Sequence, residues 1–270
     1  MKFEIVTIFP DFFRGPLDYG ITRRAREAGI IEVKLHDLRG YTHDLHRTID
    51  DRPYGGGEGM VLKPEPLFEC LDALAVASRQ DRLENRANGE SVILLSAQGR
   101  RFTQNVAAEI AGLERVVLIC GRYEGVDERV ADFLADRELS IGDYVLSGGE
   151  IGAVVIVESV ARLLPGALGN ESSSRQESFT SGTPVKSDGA ADSTCPSNGL
   201  LDYPHYTRPA EFRGIPVPQE LLTGNHEEIR RWRRQRALEK TCRNRPELFD
   251  DVPLSREDLE LLKALGQARD

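Results

Sequence analysis

The sequence predicts an α/β fold, in which the strands of a parallel sheet alternate with helices, followed by a small helical C-terminal domain. Three observations lead to this prediction. Short apolar runs alternate with helix-like segments over the first 165 residues, as in a parallel sheet covered on both faces. Glycine-rich turns follow two of these runs, where open α/β sheets bind ligands. Beyond residue 165 the composition changes, and a strongly basic helix appears.

The first apolar run, residues 3–9, reads as a buried parallel strand. Gly15 and Pro16 are expected to open a helix that ends near Ala28, with Gly29 just past its last turn. Further strands are predicted at residues 31–35, 92–95, 116–120 and 139–141, and further helices at 66–77, 103–111, 127–135 and 152–164. Residues 39–60 are predicted to form a long loop and residues 79–88 a charged surface connection.

Three regions follow from this pattern: an α/β domain at residues 1–165, a flexible linker at 166–199, and a helical domain at 200–270. Glycine, serine, threonine and proline dominate the linker, and residues 181–196 look like an insertion that lengthens it. In the last region Asn225 is expected to cap the basic helix, and Ser255 with Asp258 resembles a capping box for a final helix.

Composition excludes a membrane-spanning protein and favours a reduced compartment. The 270 residues are 40% hydrophobic and 29% charged, and no apolar run approaches the roughly 18 residues of a membrane span. The N-terminal segment lacks the layout of a signal peptide. Four cysteines are far apart and form no Cys-x-x-Cys pair, so we expect a cytoplasmic protein with Cys70 and Cys120 in its core.

Residues 229–246 hold eight basic side chains and one acid, Glu239, in a chain of net charge −9. A basic stripe with an embedded Trp232 can contact phosphates and stack on a base, so the pattern predicts RNA or DNA binding, with Arg230, Arg233 and Arg234 among the contacts. The alternative is a solvated helix face.

Two glycine-rich turns mark a candidate pocket. Residues 121–125 read Gly-Arg-Tyr-Glu-Gly, and residues 140–150 read Ser-Ile-Gly-Asp-Tyr-Val-Leu-Ser-Gly-Gly-Glu. Glycine lets the backbone approach a ligand closely, so we expect one pocket at adjacent strand ends, although either segment alone could be a plain tight turn. No dinucleotide fingerprint or P-loop is present, and the glycines of residues 55–59 have the wrong spacing.

His43 and His46 suggest a metal site only weakly, because no third ligand lies at a recognisable spacing. We therefore expect no metal, and we interpret His43 and His46 as surface or RNA-contacting residues and His205 as a structural or RNA-facing residue.

Four motifs in order resemble the bacterial tRNA (guanine-N1)-methyltransferase family, TrmD. They are the two turns above, residues 50–57 (Asp-Asp-Arg-Pro-Tyr-Gly-Gly-Gly) and residues 199–209 (Gly-Leu-Leu-Asp-Tyr-Pro-His-Tyr-Thr-Arg-Pro). The resemblance covers nearly the whole chain. It implies a SPOUT-type α/β domain containing a trefoil knot, and a homodimer whose active sites are shared between subunits.

The resemblance also implies a reaction, the transfer of a methyl group from S-adenosylmethionine to N1 of the guanosine just 3′ of the tRNA anticodon. Guanine N1 carries a proton and needs a base, while the neighbouring carbonyl oxygen needs a stabilising cation. Arg162 matches the family's catalytic arginine. Glu177 aligns with the family's general base, an aspartate, and a mobile linker could absorb the extra methylene; Asp188, Asp192 and Asp202 are substitutes.

For S-adenosylmethionine, the resemblance points to backbone contacts along both turns and to the end of the preceding strand. Tyr144 could also be a core aromatic residue, and Asp143 could be a turn residue that bonds its own backbone. The residues implied are Ser96, Gly121, Tyr123, Glu124, Ile141, Gly142, Asp143, Tyr144, Val145, Leu146, Gly148 and Gly149.

Three other functions compete with this one. A nicotinamide dehydrogenase lacks its glycine fingerprint here. A non-catalytic RNA-binding protein would keep the basic helix without needing the pocket. A related knotted enzyme could methylate ribose oxygen instead of the base.

Overall fold

A five-stranded parallel β-sheet forms the centre of the first part of the chain. The structure is a computed structural model that describes residues 1–84, 89–169, 177–180 and 197–266. The chain divides into two units, Met1–Gly169 and Asn170–Asp270, each with its own hydrophobic core.

The strands of the first unit are β1 (Lys2–Thr7), β2 (Glu32–Asp37), β3 (Asp50–Asp51), β4 (Val61–Leu62), β5 (Glu90–Arg101), β6 (Arg115–Cys120) and β7 (Arg137–Ser140). The main sheet has the order β2-β1-β6-β5-β7, and all of its pairs are parallel. The α/β class with a parallel sheet is therefore confirmed. β3 and β4 form a separate antiparallel pair.

Helices cover both faces of this sheet. They are α1 (Gly20–Glu27), α2 (Pro64–Ala73), α3 (Arg79–Glu84), α4 (Gln104–Ala111), α5 (Glu128–Phe133) and α6 (Glu150–Ala161). Phe3 and Ile5 of β1 face a core shared with α1, α4 and α6, whereas Val6 faces a second core shared with α2 and α5. Successive strand residues point to opposite faces, and because both faces are covered, nearly every residue of β1 is buried. Apolar residues therefore occupy both faces of β1, although the buried Glu4 and Thr7 interrupt the apolar run.

Several boundaries differ from the sequence predictions for physical reasons. The first helix begins at Gly20, because Gly15 has φ +96° and a short 3-10 helix at Pro10–Phe13 precedes it. The predicted connection at residues 79–88 contains α3. The predicted strand at 92–95 is the middle of the longer β5, whose register with β7 shifts between Leu95 and Arg100.

The described part of the second unit contains short 3-10 helices at Gln219–Leu221 and Pro246–Phe249, besides two α-helices and a small hairpin. The α-helices are α7 (His226–Asn244) and α8 (Arg256–Ala264), and the hairpin strands are β8 (Glu211–Phe212) and β9 (Ile215–Pro216). The side chain of Asn225 caps α7, and Ser255 with Asp258 forms the predicted capping box of α8. Apolar side chains of both α-helices pack together with Leu200 and Phe249 from the segments around them; the helical members of this cluster are Leu238, Leu261 and Leu262.

Residues 177–180 and 197–199, which the sequence assigns to the linker, are held together by hydrogen bonds. The amide of Gly199 donates to the carbonyl of Thr180 at 2.9 Å, and the amide of Phe179 donates to the carbonyl of Leu200 at 2.9 Å. Within the described residues, no helix is long and apolar enough to cross a membrane.

Candidate active site

A cavity of about 310 Å³ lies at the carboxyl ends of β5, β6 and β7. Its size falls within the usual range for a small-molecule site. The two glycine turns follow β6 and β7, which are not neighbours, because β5 lies between them. The expectation of adjacent strands is therefore wrong, and the cavity spans three strand ends.

Eleven of the twelve residues predicted for the methyl donor line this cavity. They are Ser96, Gly121, Tyr123, Glu124, Ile141, Gly142, Tyr144, Val145, Leu146, Gly148 and Gly149. Asp143 is not among the lining residues; its exposed side chain forms an ion pair with Arg101. Arg122, which the sequence analysis did not single out, also lines the cavity.

The glycines bring the two turns into direct contact. A Cβ atom on Gly121 would lie 2.9 Å from the carbonyl oxygen of Leu95, and one on Gly149 would lie 2.9 Å from Cα of Cys120. The amide of Gly149 donates to the carbonyl of Gly121 at 2.9 Å. Larger residues would separate the turns, so the close backbone approach requires glycine here.

The loop at residues 121–125 is fixed from its other side by the β3–β4 pair. The amide of Glu124 donates to the carbonyl of Met60 at 3.0 Å, and the amide of Leu62 donates to the carbonyl of Gly125 at 3.0 Å. Tyr123 has φ +62°, an uncommon conformation for a residue other than glycine. Residues 60–62, which follow the family motif at residues 50–57, therefore border the cavity, and Val61 is one of its lining residues.

Tyr144 is an exposed cavity residue and not a core aromatic, since 55% of its surface is accessible. Its hydroxyl donates to the carbonyl of Ile141 at 3.2 Å, and its ring lies against Gly142 where a Cβ atom would fall. In the same turn the hydroxyl of Ser140 donates to the carbonyl of Gly142 at 2.9 Å. These contacts hold one rim of the cavity in place.

The two predicted catalytic residues belong to different units. Arg162 follows the last residue of α6 and is half-buried, and its amide donates to the carbonyl of Glu158 at 3.3 Å. Glu177 is half-buried in the second unit, and its carbonyl accepts a hydrogen bond from the Ser197 hydroxyl at 2.6 Å.

Of the substitutes considered for Glu177, Asp188 and Asp192 lie outside the described residues. The carboxylate of Asp202 lies 2.9 Å from Nε2 of His205, and the backbone amide of Asp202 donates a hydrogen bond to the hydroxyl of Ser178 at 2.9 Å. Asp202 thereby joins the turn next to Glu177 to the chain leading into the helical part of the unit.

The basic helix α7 differs from the predicted nucleic-acid stripe. Trp232 is only 5% exposed, so the prediction that it stacks on a base is wrong for this structure. Arg234 is also 5% exposed and makes a bidentate contact with Asp258 at 2.6 and 3.0 Å. The guanidinium of Arg233 lies 4.8 Å from the ring centre of Tyr203.

Other arginines of α7 are also engaged within the second unit. Arg230 contacts Glu227 at 2.8 Å and Glu257 at 2.9 Å, and together they raise its pKa. Arg231 and Arg243 are exposed. These two, and not Arg234, are the side chains of this helix best placed to meet a phosphate from solvent.

The histidine pair does not form a metal centre in the described residues. His43 lies 2.7 Å from a carboxylate oxygen of Glu69, and Asp44 accepts hydrogen bonds from Thr48. Within the described ranges, no group of three or more His, Cys, Asp or Glu residues could hold a metal ion.

Comparisons with known proteins agree with the motifs. The family model described as tRNA (guanine-1)-methyltransferase TrmD matches residues 1–251. A tRNA (guanine-N(1)-)-methyltransferase of Koribacter versatilis is 61% identical over 270 residues, covering 100% of both chains. Proteins with the same name from Dictyoglomus turgidum and Geobacter sulfurreducens are each 48% identical over 265 residues, covering 98% of this chain and 96% and 98% of theirs.

Proposed function

The chain belongs to the TrmD family of tRNA methyltransferases, and from that premise we propose that it methylates N1 of the guanosine just 3′ of the tRNA anticodon, using S-adenosylmethionine. The observation that carries this proposal is the cavity in which both glycine turns meet. The names of the relatives support the guanine N1 atom as the acceptor. A cytoplasmic enzyme is consistent with this substrate.

The cavity suits a small donor molecule that lies against the backbone. Its glycines leave the space that Cβ atoms would fill, and its carbonyl and amide groups are close to that space. When bound there, S-adenosylmethionine supplies a methyl group activated by a cationic sulfonium. Since the donor is already activated, the main task of the cavity residues is to hold it in a reactive orientation.

Glu177 and Arg162 have different proposed roles toward the guanine base. We assign to the Glu177 carboxylate the removal of the N1 proton, because the protonated nitrogen is a poor nucleophile. We assign to Arg162 the stabilisation of negative charge on the neighbouring carbonyl oxygen. Arg162 lies directly after α6, whose first residue follows the glycine turn that lines the cavity.

We also propose the family's trefoil knot and homodimer for this chain. Support for the dimer comes from exposed apolar side chains on the first unit: Phe12 is 39% exposed, Ile151 47% and Val155 36%. Ile151 and Val155 lie one turn apart on α6, and the 3-10 helix that contains Phe12 contacts α6. Exposed apolar side chains on neighbouring elements are often part of an interface.

A mixture of two inactive variants tests the shared site. If each site takes Arg162 from one subunit and Glu177 from the other, mixed Arg162→Ala and Glu177→Gln subunits should recover part of the activity. Light scattering of the wild-type protein should give twice the mass of one chain. Absence of recovery in a mixture shown to exchange subunits would argue against the shared site.

The methylated atom decides the reaction. Wild-type protein is incubated with tRNA and isotopically labelled S-adenosylmethionine, and the digested tRNA is mapped by mass spectrometry. We expect the label on N1 of the guanosine 3′ of the anticodon. A label on a ribose oxygen would indicate a different methyltransferase reaction. Calorimetry without binding of S-adenosylmethionine would instead favour a non-catalytic RNA-binding protein.

A further inference from the structure

Glu150 is a buried carboxylate that does not line the cavity. It is the first residue of α6 and is 2% exposed. Burying an unpaired charge costs several kcal/mol, so a buried carboxylate needs partners that compensate this cost. The start of a helix favours a negative charge, but this alone does not explain why a carboxylate stands at a position closed to solvent.

Two partners reach Glu150 from distant parts of the first unit. The hydroxyl of Thr7, at the end of β1, donates to Oε1 of Glu150 at 2.8 Å and accepts from the amide of Phe9 at 3.0 Å. Nε of Arg122 lies 3.4 Å from Oε2 of Glu150. The guanidinium carbon of Arg122 also lies 4.4 Å from the ring centre of Phe9. One carboxylate thus joins β1 to the loop that follows β6.

This contact passes directly beside the second glycine turn. A Cβ atom on Gly148 would collide with both the Glu150 carboxylate and Nε of Arg122. Arg122 and Gly148 form an isolated β-bridge, next to the hydrogen bond between Gly149 and Gly121. The ion pair therefore fills the space in which the two cavity-lining turns meet.

We propose that Glu150 is a positioning residue of the donor cavity, which sets the separation of its two glycine turns by holding Arg122. This inference rests on the proposed function, since it assigns the cavity to S-adenosylmethionine. Glu150 acts through Arg122 and Gly148 and does not touch the donor. Replacing the carboxylate by an amide keeps an acceptor for the Thr7 hydroxyl but removes the charge that pairs with Arg122.

The test compares Glu150→Gln with a control that removes a buried ion pair elsewhere in the same unit. Asp136→Asn is suitable because Asp136 accepts from Arg82 at 3.0 Å and from the amide of Val92 at 2.8 Å. Asp136 precedes β7 at the amino end of that strand and does not line the cavity. Both variants should lower the melting temperature. A change in donor affinity that occurs only in Glu150→Gln therefore cannot result from lost stability alone.

For Glu150→Gln we expect the Kd and KM for S-adenosylmethionine to rise about tenfold, because small displacements in a binding site are costly. The KM for tRNA should stay unchanged. Asp136→Asn should leave the donor Kd at the wild-type value. Thr7→Val is a milder variant, because it keeps the ion pair and removes one hydrogen bond to Glu150. We expect it to raise the donor Kd by about threefold.

Equal donor affinity in wild type, Glu150→Gln and Thr7→Val would overturn the inference and leave the proposed function standing. So would a parallel loss of donor affinity in Asp136→Asn. A wild-type protein that binds neither S-adenosylmethionine nor its demethylated product would remove the proposed function and this inference together.

Discussion

The cavity of the first unit and the basic helix of the second differ in where the partners of their residues come from. The cavity is shaped by glycines that meet at one edge of the sheet, such as Gly121 and Gly149. The arginines of α7 differ from one another: Arg230 meets Glu227 within the helix, whereas Arg234 meets Asp258 of another helix. A pattern of glycines in the sequence therefore predicts a backbone geometry. A pattern of charged residues does not predict whether those side chains are exposed to solvent.

The largest effect is expected at Glu177, which we propose as the general base of methyl transfer. Glu177→Gln should fold normally and bind both substrates. Its rate of methyl transfer should fall by about 10²–10⁴, because the amide cannot accept the proton. Single-turnover rates measure this directly. Near-normal turnover at neutral pH would exclude Glu177 as the base.

Glu177→Asp sharpens this test. A freely mobile linker would absorb the loss of one methylene, about 1.5 Å, and keep appreciable activity. The structure shows the backbone of Glu177 bonded to Ser197, so we now expect Glu177→Asp to keep only a minor share of the activity. Full activity would favour the mobile linker.

Arg234→Ala should break the core of the second unit. The bidentate pair with Asp258 is buried, and removing one partner of such a pair costs about 3–5 kcal/mol. Chemical unfolding measures this loss. Arg231→Ala in the same helix is the control, and an exposed position should change stability by less than about 0.5 kcal/mol. Equal stability of the two variants would contradict the buried role of Arg234.

Arg162→Ala should leave the affinity for S-adenosylmethionine nearly intact and lower methyl transfer by about a hundredfold or more. The loss follows from removing a cation that stabilises charge on the guanine carbonyl oxygen. Calorimetry with the donor and single-turnover kinetics separate the two effects. An equal loss of donor binding would show that Arg162 supports the first unit structurally.

The Arg234–Asp258 pair also predicts a dependence of stability on pH. Burial tends to raise the pKa of Asp258, but the hydrogen bond and charge of Arg234, with the bonds of Ser255, outweigh it, so the pKa is lowered. Its stabilisation is present above the usual aspartate pKa of 3.8 and is lost as pH falls through the lower folded value. Asp258→Asn should therefore be less stable than the wild-type protein at neutral pH. As the pH falls below about 3.8, its free energy of unfolding should decrease less than that of the wild type.

The smallest effect concerns the exposed arginines of α7. Arg231→Ala and Arg243→Ala should each reduce the salt dependence of tRNA binding by about one counterion if each contacts a phosphate. Donor affinity and stability should not change. An unchanged salt slope in both variants would remove this helix from the tRNA interface.

The sequence predicted the cavity well because its determinants are local. Gly121 and Gly149 each follow or precede a recognisable element, and the position of such turns at strand ends is general for parallel sheets. The order of strands was not predictable in the same way, because nothing in the runs themselves places β5 between β6 and β7. Adjacency in a sheet depends on packing between distant segments.

The burial and contacts of Trp232, Arg234 and Arg122 could not be predicted from the sequence for a related reason. Each contacts partners far away in the chain: Trp232 contacts Tyr206, Arg234 contacts Asp258, and Arg122 contacts Glu150 and Phe9. The available signal for the last of these contacts was a carboxylate directly after two glycines, at Glu150, two residues before the predicted helix at 152–164.

The hydrogen bond between Thr180 and Gly199 has an evolutionary consequence. It holds Thr180 next to Gly199, so a change in the number of residues between Thr180 and Ser197 need not displace the hydrogen-bonded residues on either side. For loops in general, doubling the length adds only about 0.6 kcal/mol to the free-energy cost of closure. We expect this junction to be a place where related lineages gain and lose residues, and where a short tag can be inserted with the flanking turn preserved.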